Sequence, residues 1–553
     1  MVTKVTALKR ISLFLLFPFF ITLNASPQSQ KTKDSLKLTK NELKIPMSDG
    51  VSLSTNVFLP NGHKKFPTVL VRTPYDKFAE QWMGKAFNFF GIAVVVQDVR
   101  GRYKSEGQFY PFINERNDGL QTLRWIRNQK WSNGTVSGWG ASYVGYTQWA
   151  ISDSLNFLTL LLTGANIYDF LYPDGLFSLQ SAFTWGLPNA APYSGTVSKE
   201  KLTKSFSFLP LSIADDSTVR NVDFINDWIQ HETADNYWQK ISFRGVTKSP
   251  LLSLAGWYDI FLKAQIEDFQ ALSANGNPGN RLIIGPWCHG AQAEENQYGG
   301  LKKTGNPQLI FMYVKNFLKG RSNKLKAPLK DKKYNLFIME RNEYVGSDVW
   351  PPAETRIVPY YIAENKSLTP EIPKGNGVLT YKYDPANPYP SHGGTILGNG
   401  VGPAKQNENI DRKDQLTFET NVLDIPMILL GPISATLWIA SDASCTDFIV
   451  GLEDVFPDGK IINIQEGGAK IKSIGINSQK ADISVWAAGY QLNPGHKLRV
   501  IITSSWFPRF NRNLNGCEEI FKASKIHVAN QSVYFGPETP SSINLPLYSI
   551  EKK

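Results

Sequence analysis

The chain has 553 residues, 42% of them hydrophobic and 19% charged, which excludes bulk disorder and is too long for a single ordinary core. The formal charge of +11 includes Lys4, Lys9 and Arg10 near the start, and the other bases are scattered, with no basic stripe interleaved with aromatics, so nucleic acid is not expected as a partner. Three cysteines do not make a disulfide framework, and there is no C-x-x-C or H-E-x-x-H among six dispersed histidines, so no metal or other cofactor is expected.

In chain order, the first element is an export signal over residues 1–25. A basic start precedes an apolar run over 11–21, and Leu23-Asn24-Ala25 offers a cleavage site. The run is too short to span a bilayer, and no later stretch is long and apolar enough. A periplasmic or extracellular location is expected. Next, "IPMSDGVSLSTNVFLP" predicts a hairpin about Asp49-Gly50. "FPTVLVRTPY" and "GIAVVVQDVRG" predict buried strands, with "WMGKAFNFF" as a helix between them and 118–127 as a second helix. Strands alternating with helices imply a parallel α/β sheet.

"VSGWGASYVGYTQWA" (136–150) predicts a strand, a tight turn and a helix about Ser142. Gly140 stands two before the serine, and Gly145 three after it, one step later than in G-x-S-x-G. The motif alone reads equally as a structural turn. Residues 153–244 hold apolar clusters among short polar breaks and predict a helical insertion lying over a site. Strand character returns in "SPLLSLAGWYD" and "NRLIIGPWCH", and "LIFMYVKNFLKG" predicts a helix stopped by Gly320. A Lys-rich segment, 323–333, reads as a linker. Beyond it "YNLFIME", "QLTFETNVL", "ISATLWIAS", "DFIVGLEDVFPDGK" and "HKLRVIITSS" predict an all-β sandwich or jelly roll.

A serine nucleophile needs a base, and the base an orienting acid. Asp259 and His289 each end an apolar strand and follow Ser142 in the order an α/β-hydrolase uses. Taken alone, Asp259 reads as a helix cap and His289 as a loop histidine; together with Ser142 they read as a triad.

The motifs "RTPYDK" (72–77), "QDVRGRYKSEGQF" (97–109), "GWGASYVGY" (138–146), "GWYD" (256–259) and "GPWCHG" (285–290) resemble those of the cocaine esterase family of serine hydrolases. That family also holds glutaryl acylases, α-amino-acid ester hydrolases and X-Pro dipeptidyl-peptidases. "YDPANPYPSHGG" (383–394), "SDASCTDFIVGLEDVFPDG" (441–459) and "SSWFPRFNRN" (504–513) extend the resemblance, which runs from about residue 45 to about 530. It implies an α/β-hydrolase domain (26–152 and 245–325) with an inserted helical cap (153–244), followed by a C-terminal jelly-roll domain (334–553). It implies Ser142 as nucleophile, His289 as base and Asp259 as orienting acid, with the Tyr75 hydroxyl and the Tyr143 amide forming the oxyanion hole. No cofactor is implied.

For the substrate pocket, Phe170, Tyr172, Trp257 and Phe261 are candidates, and Phe177, Phe183 and Trp185 are further cap aromatics whose role reads as core packing. The α-amino-acid ester hydrolases carry acids just after the catalytic Asp; here Ile260, Phe261 and Leu262 follow Asp259, although Asp169 and Asp174 could still supply a carboxylate. An X-Pro peptidase needs an anchor for a free N-terminus, and the sequence locates none. The expected substrate is therefore a small acyl ester or amide, with a peptide as the alternative and a homo-oligomer compatible with either. Cys288 precedes His289 where the family often has a small residue, and Cys445 stands where an acid is common; Cys445 and Cys517 could form one disulfide in an oxidising compartment. A secreted binding protein with an inactive hydrolase domain is the non-enzymatic alternative.

Overall fold

The computed structural model describes residues 39–550 except 63, 191–196, 274–276, 291–296, 299–303, 305–306, 322–323 and 399. The export signal lies outside the described residues.

Ten strands form the first sheet: β1 (Thr39–Pro46), β2 (Ser52–Leu59), β3 (Phe66–Thr73), β4 (Ala93–Asp98), β5 (Ser132–Ala141), β6 (Phe157–Leu161), β7 (Leu251–Tyr258), β8 (Arg281–Cys288), β9 (Tyr334–Ile338) and β10 (Glu343–Ser347). Their order is β1-β2-β4-β3-β5-β6-β7-β8-β9-β10. From β4 through β9 all neighbours pair parallel, and antiparallel β1–β2 and β10 close the two edges. Parallel strands buried on both faces need unbroken apolar runs, which "AVVVQD" and "LLSLAGWY" supply. The hairpin turn falls at the expected Asp49-Gly50, where Gly50 takes φ +87°.

Helices cover the sheet: α1 (Trp82–Asn88), α2 (Glu115–Arg127) and α3 (Ser142–Trp149) precede the insertion. The second begins three residues earlier than the expected 118, with Glu115 and Asp118 in its first turn. Pro307–Leu318 is helical, and Gly320 beyond it takes φ +62°, the left-handed stop the sequence suggests.

Two boundaries differ from expectation. "FLTLL" was expected inside the helical insertion, yet it is β6, buried at all five positions between β5 and β7. An apolar run this short has no periodicity to separate buried strand from buried helix. The insertion proper starts later, with short helices from Ile167–Leu171 to Asn236–Gln239. "YNLFI" was expected in the jelly roll but is β9, buried at all five positions and paired with β8. The Lys-rich linker therefore returns the chain to the first sheet before the second domain begins.

That second domain is all-β, as expected. A seven-stranded sheet is built around the long strand Met427–Ser441, and a four-stranded sheet contains Gln415–Glu419, Lys497–Thr503, Cys445–Val455 and Ile461–Lys472. It packs on both other parts. Gln465 Nε2 donates to the Trp257 carbonyl, Tyr258 OH to that of Asn463, and Lys470 pairs with Glu232 of the insertion at 3.0 Å. Cys445 and Cys517 are joined in a disulfide. Among the described residues, no helix is long and apolar enough to cross a membrane.

Candidate active site

Four loops at the C-terminal ends of parallel strands build the site. β5 runs directly into α3, whose first residue, Ser142, takes φ +53°. That left-handed conformation is costly for a residue with a side chain and projects the serine above the sheet edge. The glycines explain their own spacing. A Cβ on Gly140 would lie 2.3 Å from the Val144 carbonyl group, and one on Gly145 would lie 2.6 Å from Thr163 Cγ2. The second small residue is needed where α3 passes the end of β6, three positions after the serine. The position between, Val144, is buried.

Asp259 follows β7 and His289 follows β8, and both are buried. His289 Nδ1 stands 2.7 Å from Asp259 Oδ2, and His289 Nε2 stands 2.9 Å from Ser142 Oγ. A carboxylate only accepts, so Nδ1 carries the proton and Nε2 is left to accept from the serine hydroxyl. The other carboxylate oxygen of Asp259 accepts from the Phe261 amide at 2.8 Å, which fixes the plane of the carboxylate.

Tyr75 follows β3 and lines one pocket with Ser142 and His289. Its loop is anchored by a buried ion pair in which Lys77 Nζ lies 2.9 Å from Asp98 Oδ2, while the Lys77 amide donates to Asp98 Oδ1 at 2.7 Å. The "PYDK" and "QDVRG" motifs thus serve one loop. The Trp185 indole N–H donates to Tyr75 OH at 2.7 Å, so the phenol oxygen is used as an acceptor and its proton is left to point elsewhere. Burial pushes the phenol up to about 12, against the downward pull of its hydrogen bonds with Trp185 and Ser142. Tyr75 is therefore a neutral donor at any physiological pH. The Tyr143 amide lies in the first turn of α3, where no intrahelical carbonyl can accept from it. The Tyr143 side chain turns away, donating to Glu115 Oε1 at 2.8 Å, and its ring stacks on Trp185 at 5.5 Å between centroids. One cap residue, Trp185, therefore touches both Tyr75 and Tyr143.

The four pocket candidates separate. Phe261 packs against the His289 ring at 5.5 Å, and Phe170 lies behind it at 4.8 Å. Tyr172 and Trp257 do not reach the site. Tyr172 is buried and donates to the Trp228 carbonyl, and Trp257 is buried and donates to the Phe337 carbonyl of β9. Aromatic type alone cannot separate a wall from a core. The walls of the pocket next to Ser142 come instead from Glu80, Trp82, Trp139 and Leu161, none of which the sequence reading singles out. The signal available was position: Glu80 and Trp82 follow directly on the Tyr75 motif. Asp169 and Asp174 are already paired, with Arg244 and with Lys263 (2.6 Å) respectively. Among the described residues, no group of three or more His, Cys, Asp or Glu is placed to hold a metal ion.

Comparison with known proteins agrees with this architecture. Residues 49–291 match the family described as X-Pro dipeptidyl-peptidase (S15 family), and residues 329–544 match the X-Pro dipeptidyl-peptidase C-terminal non-catalytic domain. Cocaine esterase of Rhodococcus sp. (strain MB1 Bresler) is 32% identical over 91% of this chain and 97% of its own length. Two solved structures share the fold. An aminopeptidase from a marine sediment Thaumarchaeota archaeon superposes with a TM-score of 0.80 at 22% identity, covering 95% of this chain and 99% of the other. An α-amino acid ester hydrolase superposes with a TM-score of 0.76 at 22% identity, covering 96% and 100%. With an α/β-hydrolase sheet, an all-β C-terminal domain and a relative matched along nearly its whole length, the chain belongs to the cocaine esterase and X-Pro dipeptidyl-peptidase family of serine hydrolases.

Proposed function

We propose that the protein cleaves an acyl ester or amide through Ser142, His289 and Asp259, by way of an acyl-enzyme. The observation that carries this is the bridging position of His289, 2.9 Å from Ser142 Oγ and 2.7 Å from Asp259. His289 Nε2 takes the serine proton as Oγ attacks the carbonyl carbon. The imidazolium that forms is stabilised by Asp259. The oxyanion is received by the Tyr75 O–H and the Tyr143 N–H, two neutral donors. His289 then returns the proton to the leaving oxygen or nitrogen. Water, deprotonated by the same histidine, hydrolyses the acyl-Ser142 ester and restores the serine. The mainly apolar walls favour an acyl ester or amide with a compact group.

Export is part of the proposal. It is supported by the basic and apolar start of the chain and by the Cys445–Cys517 bridge, which persists in an oxidising compartment. N-terminal sequencing of protein recovered outside the cytoplasm should begin after residue 25.

The test of the chemistry is labelling with a fluorescent fluorophosphonate, on wild type and Ser142→Ala. A panel of esters, acyl amides and Gly-Pro or Ala-Pro chromogenic substrates follows. Labelling should be lost in the variant, and turnover should be highest on esters or acyl amides. Turnover confined to the dipeptidyl substrates would move the protein to the peptidase branch. Folded wild type that takes no label would make it a binding protein with an inactive hydrolase domain.

A further inference from the structure

The pocket beside Ser142 has a volume of about 80 Å³. Among the described residues, one carboxyl group lines it, that of Glu80. The rest of the wall is mainly apolar, with the indoles of Trp82 and Trp139 and the side chain of Leu161. The Trp82 indole N–H donates to the Glu80 carboxyl. Among the described residues, no lysine, arginine or histidine forms a salt bridge with it. The other carboxylates near the cap differ. Asp169 is neutralised by Arg244, and Asp174 by Lys263 at 2.6 Å.

A desolvated carboxylate with a single neutral donor is an expensive group to keep in a pocket wall. Burial pushes Glu80 up to about 7. A ligand that brings a positive charge removes that cost and gains a charge-assisted hydrogen bond. Indole faces add attraction for a cation. The volume is below the roughly 150 Å³ of a protein cavity that accepts benzene, so the cation must arrive on a short arm.

We propose that Glu80 is a specificity residue that receives the ammonium group of an ester or amide substrate, a short aliphatic arm away from the carbonyl attacked by Ser142. This rests on Ser142 being the nucleophile. The proton inventory is simple: the ammonium keeps its proton and shares it with Glu80, while the chemistry at the carbonyl is unchanged.

The test uses the full chain and matched esters whose acyl or alcohol arm ends in an ammonium, a methyl or a carboxylate. For wild type, kcat/KM should favour the ammonium over the methyl ester by about 10- to 100-fold. In Glu80→Gln that ratio should fall to near 1; the ratio is read, not the absolute rate. Should Glu80→Gln not fold, wild type alone still decides. The preference should grow as pH rises from 5 to 8, because Glu80 ionises across that range while an alkylammonium stays charged. Tyr75 and His289, the other titratable groups in the pocket, act on all three esters alike and cancel in the ratio. Wild type labelled at Ser142 but showing a flat, pH-independent ratio near 1 would overturn the assignment of Glu80 alone. A preference for the carboxylate ester would overturn it too, since a protonated Glu80 would then be the donor. No labelling of wild type would overturn the Ser142 reading and this one together.

Discussion

The molecule holds two buried histidine–carboxylate pairs, and they differ instructively. In the hydrolase domain His289 Nδ1 lies 2.7 Å from Asp259; in the jelly roll His496 Nδ1 lies 2.8 Å from Asp454. Distance and burial are nearly the same. The difference is at the other ring nitrogen. His289 Nε2 meets Ser142 Oγ, held at φ +53° above a sheet edge. The ring of His496 packs on Phe456 at 4.4 Å, and among the described residues no side-chain hydroxyl is within hydrogen-bonding distance of its Nε2. Asp454 also accepts from Tyr490 OH at 2.9 Å, so its charge is held by two donors of the β-sandwich. A histidine–aspartate contact is therefore not a sign of catalysis. The strained serine turn, and a pocket in front of it, set the first pair apart and are why the proposed chemistry is assigned to it and not to the other.

Parallel substitutions test that contrast most strongly. Asp259→Asn removes the acceptor that fixes the His289 tautomer, and kcat should fall about 10⁴-fold with the fold intact. Asp454→Asn should leave kcat within a factor of about two, and lower the melting temperature instead, because a buried hydrogen-bonded charge is lost. Steady-state kinetics well below the melting transition, beside calorimetry, would check both. A comparable loss of kcat in Asp454→Asn would break the distinction.

That distinction was only half legible in the sequence. Asp259 and His289 could be found because each ends an apolar strand, and strand ends in a parallel sheet are where loops converge. The order of α/β and all-β segments was readable for the same reason, since periods of two and 3.6 leave different patterns. β6 was not readable, because five consecutive buried apolar residues carry no period. Trp257 and Trp185 show the limit for side chains. Both are aromatic and almost wholly buried, yet one is spent on the Phe337 carbonyl and the other holds Tyr75. The partner of an indole N–H is set by long-range packing, and nothing local in the sequence encodes it.

Support from the cap is a second way in which the His289 pair differs from the His496 pair, and it can be sharpened in two steps. Tyr75→Phe deletes the hydroxyl proposed to receive the oxyanion and should lower kcat by about 10²- to 10³-fold, with a smaller change in KM. Trp185→Phe keeps an aromatic ring against Tyr143 but removes the N–H that orients the Tyr75 hydroxyl. Its effect should be weaker, about tenfold in kcat, and should vanish in the Tyr75→Phe background. Equal and additive losses would show that Trp185 acts through packing and not through Tyr75.

The smallest expected effect concerns the jelly roll alone. Glu453 precedes Asp454 and is buried, and among the described residues neither of its carboxyl oxygens has a hydrogen-bond partner; Arg499 stands 4.0 Å away. Burial pushes it up to about 8, against the pull of Arg499. An acid whose folded value lies above its unfolded value of about 4.3 holds its proton more tightly when folded. Its contribution to stability is therefore greatest below pH 4 and is lost as pH rises through 8. The structural histidine pair thus sits beside a carboxyl group that is best kept neutral. Glu453→Gln, which cannot ionise, should flatten the fall in melting temperature between pH 5 and 8 and raise it by about 1–3 °C at pH 8, with no change in kcat. Since the charge is never brought near Ser142, a change in kcat with this variant would show that the second domain reaches the reaction, and that the two histidine pairs are less separate than their surroundings suggest.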